Sequence, residues 1–122
     1  MSKSVKIMDV TLRDGSYACN FKYTLAQQKA ITKGLESLGI DYIEIGHGMG
    51  LRASSPQNGI ALYSDEEYLK CAQMNLKKAK YGVFCIPGIA KLEDIDKAAE
   101  FGISFIRIGV NITDIKNGST LL

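Results

Sequence analysis

The sequence has no tryptophan, one histidine and two prolines in 122 residues. It also has no apolar run approaching the roughly 18 residues that a membrane-spanning helix needs. The opening string, MSKSVKIMDV, lacks the apolar stretch of a secretory signal. We therefore expect no membrane partner.

Neither sign of charge dominates. Fifteen lysines and arginines stand against 13 aspartates and glutamates, which gives a formal net charge of +2. Nucleic acids and anionic membranes attract proteins through a concentrated positive field, and the basic residues here are scattered. The composition therefore predicts no nucleic-acid partner.

Cysteine is scarce and odd in number. Cys19, Cys71 and Cys85 lie far apart along the chain, which indicates free thiols in a reducing cytoplasm and not a disulfide framework. None has a histidine at motif spacing. We therefore expect all three to be small buried apolar residues.

What the sequence does contain is a regular alternation of strand and helix patterns. Apolar, β-like runs occupy 5–10, 41–45, 81–86 and 104–110. Three helix patterns lie between them: one capped by Thr24 with Gln27 as capping-box partner, one capped by Ser64, and one over about 92–101.

Two of these helices carry further detail. In the first, the apolar spacing predicts an inward face made of Leu25, Ala30, Ile31, Leu35 and Leu38, with Gly39 ending the helix. In the second, acids fall in the first turn and lysines in the predicted last turn, which suits the helix dipole.

Strands that alternate with helices of this length form parallel sheets with right-handed crossovers. A doubly wound nucleotide-binding sheet is disfavoured, because the loop after the first strand has no glycine-rich phosphate motif. The alternative is a (β/α)8 TIM barrel, which takes about 250 residues. We therefore predict an α/β fold: residues 1–122 form one partial domain, the first half of a barrel, with about four parallel strands and three helices.

Polar residues follow the predicted strands, at the end where barrel enzymes place their active sites. Arg13, Asp14 and Tyr17 follow the first strand, His47 and 54–58 follow the second, and 111–114 follow the fourth. An aspartate there can bind a divalent metal through a hard oxygen, and an arginine can stabilise an enolate or carboxylate. Arg-Asp-Gly alone is weak evidence, since an ordinary turn has the same residues.

The longer strings are more specific. Asp9-Val-Thr-Leu-Arg-Asp-Gly15, followed by Tyr23-Thr24 and a helix, resembles the start of the pyruvate-specific 4-hydroxy-2-oxovalerate aldolases. These belong to the DRE-TIM metallolyase superfamily, with hydroxymethylglutaryl-CoA lyase and isopropylmalate synthase. The string from Ile43 to Leu51, EIGHGMG at its centre, is similar too, as are Ser54-Ser55, the Pro-Gly-Ile turn at 87–89 and Ile-Arg-Ile at 106–108.

This resemblance implies a metal-dependent retro-aldol cleavage of a 4-hydroxy-2-oxoacid to pyruvate and an aldehyde. The aspartate matching Asp14 would bind a divalent ion, commonly Mn²⁺, with Mg²⁺, Co²⁺ or Zn²⁺ as alternatives. Two histidines of a later strand would complete the protein ligands. The arginine matching Arg13 would stabilise the enolate. The resemblance also allows a homo-oligomer and an acylating aldehyde dehydrogenase as partner.

Three further residues are ambiguous. Glu44 matches an acidic residue of the superfamily, and alternation places it with Tyr42, opposite Ile43 and Ile45. A catalytic role and a structural ion pair with Arg13 are equally supported, and we expect Arg107 to be paired within the barrel in the same way. His47 could contact substrate, but hydrogen bonds that order its long loop are the better hypothesis.

Tyr17 departs from the family pattern, which has an acid–base histidine at this position. A tyrosine hydroxyl ordinarily ionises only at about pH 10, so it is a poor base, although it can orient a hydroxyl or donate a proton. Ser54 and Ser55 are candidates for substrate oxygens, and loop polarity explains them equally well. Two other functions stay open: a non-catalytic half-barrel that works only on assembly, and a Claisen-type acyl-CoA enzyme.

Overall fold

The computed structural model describes residues 4–112, which build one four-stranded sheet and three helices. The strands are β1 (Met8–Asp9), β2 (Tyr42–Ile45), β3 (Lys80–Cys85) and β4 (Phe105–Ile108). The helices are α1 (Leu25–Ser37), α2 (Asp65–Asn75) and α3 (Leu92–Ala99), and a 3-10 helix covers Asp14–Cys19.

All strand pairs are parallel, and the strands lie in the order β1-β2-β3-β4. Each crossover contains a helix, as parallel neighbours require. Sequential order without a switch point is the arrangement of a barrel, and a doubly wound sheet would have placed β1 inside. The prediction of four parallel strands from the first half of a barrel is confirmed.

The two faces of the sheet differ. Ile43 and Ile45 are buried in the apolar core with Val83 and Cys85 of β3 and Leu69 of α2. Glu44, the residue between them in β2, points the other way. On that second face the register pairs Glu44 with Gly82 and Phe84 with Arg107. Alternation in β2 is thus as predicted, with the helices packed on the apolar face.

The predicted Thr24–Gln27 capping box and the predicted Ser64 cap are both present. Thr24 Oγ accepts from Gln27 N at 3.0 Å, and the Gln27 side chain accepts from Thr24 N at 2.9 Å. Ser64 and Glu67 make the same reciprocal pair at α2. Gly39 follows α1 with φ +81°, a conformation that favours glycine.

The inward face of α1 differs from the prediction. Leu25, Ile31 and Leu35 pack against the core, but Ala30 and Leu38 are exposed. Gln28 and Thr32 are buried in their place. The Gln28 amide donates to Tyr68 O at 2.7 Å, and Thr32 Oγ donates to Gln28 O at 2.9 Å, so hydrogen bonds offset the cost of burying these polar groups.

Helix α2 ends earlier than predicted, and the prediction of lysines in its last turn is wrong. The Asn75 side chain donates to Cys71 O at 2.7 Å, and the backbone is extended at the next residue, Leu76. Lys77 and Lys78 instead donate their backbone N–H groups to the Glu36 carboxylate of α1. The outer strands β1 and β4 are likewise shorter than their apolar runs.

The prediction that all three cysteines are buried is correct for Cys85 alone. Cys85 is fully buried, and burial raises the pKa of its thiol to about 11, which makes it unreactive. Cys19 and Cys71 are only partly buried. All three are free thiols. Among the described residues no helix is long and apolar enough to span a membrane.

Candidate active site

The centre of the candidate site is an ion pair between the first and second strands. Arg13 lies just before the 3-10 helix, where it reaches across to the end of β2. Its Nε donates to Glu44 Oε1 at 2.7 Å, and its Nη1 donates to Gly48 O at 2.9 Å. The predicted pairing of Arg13 with Glu44 is confirmed.

A second arginine completes the network. Arg107 of β4 donates from Nε to Glu44 Oε2 at 2.8 Å and from Nη2 to Oε1 at 2.9 Å. The predicted pairing of Arg107 is therefore also confirmed. The guanidinium carbons of Arg13 and Arg107 lie 4.3 and 5.1 Å from the centre of the Phe84 ring, a geometry that gives cation–π attraction.

Glu44 is completely buried, yet its carboxylate is bound by two guanidiniums. Burial alone opposes its charge, but the hydrogen bonds from Arg107 and Arg13 outweigh that cost, and the pKa of Glu44 lies below its ordinary value. The same bonds raise the pKa of Arg107. The network fixes one negative and two positive charges at the second face of the sheet.

Asp14 has the freedom that a metal ligand needs. Its side chain is 63% exposed, and its ion pair with Arg13 Nη1 is long at 3.5 Å. A carboxylate oxygen of this kind suits a hard divalent ion. However, residues 4–112 contain no group of three histidine, cysteine, aspartate or glutamate side chains that could hold a metal. Asp14 therefore fits as one ligand of a site that needs further ligands.

Tyr17 lies against the backbone of the loop that follows β2. A Cβ atom at Gly48 would lie 2.5 Å from the Tyr17 ring, so the close approach requires glycine. The ring meets Phe21 edge-on at 5.1 Å, and the residue is 50% exposed. Tyr17 is therefore near Arg13, through Gly48, and accessible to a ligand.

His47 holds the loop after β2. Its Nδ1 accepts from Met49 N at 3.0 Å, which leaves the proton on Nε2, 2.9 Å from the Gly59 carbonyl that accepts it. The ring stacks on Phe21 at 3.9 Å and is buried, and this burial lowers the pKa of His47. Both nitrogens are used within the loop, which confirms the hypothesis that His47 orders it.

The predicted serines are also engaged within the loop. Ser54 Oγ accepts from Ala61 N at 2.9 Å, and Ser55 Oγ accepts from Asn58 N at 3.1 Å. Ser54 additionally lines a cleft of about 470 Å³ between this loop, the start of α2 and helix α3. Arg13 and Asp14 do not line that cleft. The structure thus brings together Arg13, Asp14, Glu44 and Tyr17, and places the serines apart from them.

Three contributors were missed by the sequence prediction. Gly48 supplies a carbonyl to Arg13, Phe84 lies under both guanidiniums, and Phe21 stacks on His47. Phe84 could have been predicted. Gly82 of β3 lies opposite Glu44, and alternation places Phe84, two residues later, on the same face of the sheet. Gly48 and Phe21 act through loop geometry, for which the sequence has no periodic signal.

Comparison with known proteins identifies a family for this chain. The model of the HMGL-like family matches residues 4–121. A 4-hydroxy-2-oxovalerate aldolase of Moorella thermoacetica is 42% identical over 117 residues, covering 96% of this chain and 35% of that protein. The aldolase of Carboxydothermus hydrogenoformans is 41% identical over 118 residues, covering 97% and 35%.

A third relative has a different name. The oxaloacetate decarboxylase of Mycobacterium tuberculosis is 40% identical over 110 residues, covering 90% of this chain and 32% of that protein. The chain spans about one third of the length of the curated relatives that it matches. The match extends across the strands, the helices and the Arg13–Glu44 network, and the chain belongs to the HMGL-like family.

Proposed function

We propose that this chain supplies the enolate-stabilising part of a lyase site that releases pyruvate from a 4-hydroxy-2-oxoacid. The observation that carries the proposal is the Arg13–Glu44–Arg107 network beside the exposed Asp14 carboxylate. It lies at the carboxyl ends of parallel strands, where barrel enzymes bind their substrates. The aldolase names of the relatives favour the same reaction.

In the proposed reaction, the bond between C3 and C4 of the substrate breaks and its electron pair moves into the C2–C3 enolate. The C4 hydroxyl passes its proton to solvent water as C4 becomes an aldehyde, and C3 takes a proton from water to give pyruvate. Negative charge therefore develops on the C2 oxygen. Arg13 is fixed by Glu44 and Gly48, so it can meet that charge without reorganising.

A divalent ion, when bound, would polarise the C2 carbonyl as a Lewis acid. Asp14 is the residue of this chain that would bind it, and Mn²⁺ is the first choice, ahead of Mg²⁺, Co²⁺ and Zn²⁺. Because residues 4–112 contain no cluster of three such ligands, we expect the remaining ones to come from elsewhere. We therefore expect residues 1–122, one partial barrel domain, to lack turnover on their own.

The proton of the C4 hydroxyl needs a base, and His47 is not available because both of its ring nitrogens bind the loop backbone. Tyr17 can orient the hydroxyl, since its ring is half exposed beside Arg13's acceptor Gly48. We assign Tyr17 this orienting role. His47, Ser54 and Ser55 would then act on substrate indirectly, by shaping the loop over the site.

The same observation favours a second candidate, the β-decarboxylation of oxaloacetate. There the C3–C4 bond breaks with loss of CO₂, and the electron pair again enters a pyruvate enolate. No hydroxyl proton is removed, so no base is required. The tyrosine at position 17 and the decarboxylase name of one relative both support this alternative.

One assay separates the two candidates. A full-length version of the protein, with a complete barrel, is incubated with Mn²⁺ and either 4-hydroxy-2-oxovalerate or oxaloacetate, and pyruvate is followed with lactate dehydrogenase and NADH. If the protein is an aldolase, 4-hydroxy-2-oxovalerate should be turned over. If it is a decarboxylase, only oxaloacetate should be. Release of pyruvate from neither substrate would contradict both.

The surroundings of the reaction are also proposals. Three free thiols suit a reducing cytoplasm. The aldehyde product would pass to an acylating aldehyde dehydrogenase, and a homo-oligomer would bring several such sites together. Size-exclusion chromatography with light scattering, with and without that dehydrogenase, tests both associations.

A further inference from the structure

Arg107 uses the whole of the Glu44 carboxylate. The Nε and Nη2 edge of its guanidinium faces both carboxylate oxygens, at 2.8 and 2.9 Å. Arg13 shares Oε1 and makes a single bond to it, through Nε at 2.7 Å. Two arginines thus bind one buried carboxylate in different ways, Arg107 with two bonds and Arg13 with one.

This asymmetry has a physical consequence for Arg13. The parallel N–H groups of an arginine match the two oxygens of a carboxylate, and such pairs readily become bidentate. If Arg107 did not hold Oε2, Glu44 could accept from both Nε and Nη2 of Arg13. As it is, Arg13 donates from Nε to Glu44 and from Nη1 to Gly48, and neither bond uses Nη2.

We propose that Arg107 is a positioning residue that keeps Nη2 of Arg13 available for an oxygen of the ligand. By holding Glu44 in a bidentate pair, it restricts Arg13 to one bond with that carboxylate. The inference rests on the proposed function for the class of ligand, a planar 2-oxoacid or enolate anion. Arg107 acts through Glu44 and does not itself touch the reacting atoms.

Two observations favour positioning over simple charge neutralisation. One guanidinium already balances the buried charge of Glu44. The other carboxylate of the site, Asp14, is 63% exposed to solvent, so it does not need the second guanidinium as a counter-ion. Both guanidiniums also lie over the same Phe84 ring, which limits how either can turn. Arg107 therefore contributes the geometry of its two parallel N–H donors, which hold the Glu44 carboxylate in one orientation.

The test compares the 122-residue protein with Arg107→Lys, which keeps the charge and loses the fork, and Arg107→Gln, which loses both. Val83→Ala is the matched control, because Val83 is buried on the opposite face of the sheet. Two quantities are measured by NMR: the arginine side-chain N–H signals, and the dissociation constant of oxalate, a planar dianion shaped like the pyruvate enolate.

In the original protein, oxalate should shift the Nη signals of Arg13. In both Arg107 variants those signals should change before any oxalate is added, because Nη2 turns to Glu44, and the oxalate dissociation constant should rise about 10-fold. Lysine should rescue little, since a point charge cannot replace the planar fork. Val83→Ala should lower the melting temperature and leave the Arg13 signals and the oxalate affinity unchanged.

The proposal is overturned if Arg107→Lys keeps both the Arg13 signals and the oxalate affinity of the original protein. Should Arg107→Gln not fold, Arg107→Lys decides alone. If oxalate never reaches Arg13 in the original protein, the proposed function fails, while the Arg13 signals of the ligand-free variants still decide whether Arg107 positions that side chain.

Discussion

Glu44 and Glu36 each accept three hydrogen bonds, but they do so in regions with different tasks. Glu44 is fully buried and bound by two guanidiniums, on the sheet face away from the helices. Glu36 lies in the last turn of α1 and accepts the backbone N–H groups of Lys77, Lys78 and Ala79, where the chain enters β3.

The two glutamates differ in whether the groups that donate to them have further donors for a ligand. Backbone N–H groups are fixed to the chain, so Glu36 can only tie α1 to the start of β3. Guanidiniums have spare donors and positive charge, so Glu44 orients groups that can still bind a ligand. This matches the division of barrels into a stabilising end and a reactive end, at opposite ends of the strands.

The largest expected effect is that of Glu44→Gln. Removing the charge leaves Arg107 without its carboxylate partner and Arg13 with only the long, exposed pair to Asp14. Breaking a buried ion pair in this way costs on the order of 3 kcal/mol. Urea denaturation at pH 7 measures the loss. A loss below about 1 kcal/mol would show that water already screens the network, and the comparison would then lose its basis.

A third carboxylate, Asp65, sharpens the comparison. It accepts a hydrogen bond from one backbone N–H group, that of Arg52, whereas Glu44 and Glu36 each accept three hydrogen bonds. Burial raises its pKa to about 6, and the 2.7 Å bond from Arg52 N only partly offsets this. A raised pKa in the folded state means that Asp65 favours unfolding once it is ionised. Its contribution to stability therefore falls as the pH rises from about 4 to 6.

Asp65→Asn removes that penalty and keeps an oxygen for Arg52 N. We expect the variant to be more stable than the original by about 1 to 2 kcal/mol at pH 8, after a small loss from the helix dipole, and equal to it near pH 4. Thermal unfolding across this pH range checks the slope. A variant that is less stable at pH 8 would show that the Asp65 charge is stabilising.

Glu36→Gln should have the smallest effect of the three. The amide oxygen can still accept hydrogen bonds, but without the charge, so the loss is about 1 kcal/mol at pH 7. The backbone donors lower the pKa of Glu36, so its contribution is present above the ordinary pKa and disappears as acid protonates it. The original and the variant should therefore converge at low pH.

Glu100→Gln, at the exposed end of α3, is the control for Glu36→Gln and should be neutral within about 0.5 kcal/mol at every pH. If Glu36→Gln impaired pyruvate release while Glu44→Gln did not, the assignment of the two ends would be reversed.

The regular parts of this molecule follow from local patterns. The caps by Thr24 and Ser64 and the facing of Glu44 could be predicted, because each depends on spacing within a few residues. The strand order followed from the choice of a barrel over a doubly wound sheet. The ion pairs of Arg13 and Arg107 also followed, since a buried charge on a strand needs a partner.

The remainder depends on contacts that no local pattern encodes. Gln28 is buried because it reaches Tyr68 O, 40 residues away, and Glu36 ends the α2 region by binding backbone groups 41 to 43 residues away. The Gly48 contact with Tyr17 depends on how two loops meet. These side-chain to backbone bonds decided where the apolar-face and helix-end predictions were wrong.

The most direct test of the central claim, that Glu44 and Arg107 hold Arg13 for enolate stabilisation, is kcat of Arg13→Ala in a full-length version of this protein. We predict a fall in kcat by on the order of 10²–10³, as for other lost oxyanion donors, with metal affinity retained through Asp14 and little rescue by Arg13→Lys. An unchanged kcat with a lower melting temperature would contradict the account and leave Arg13 as a structural partner of Glu44.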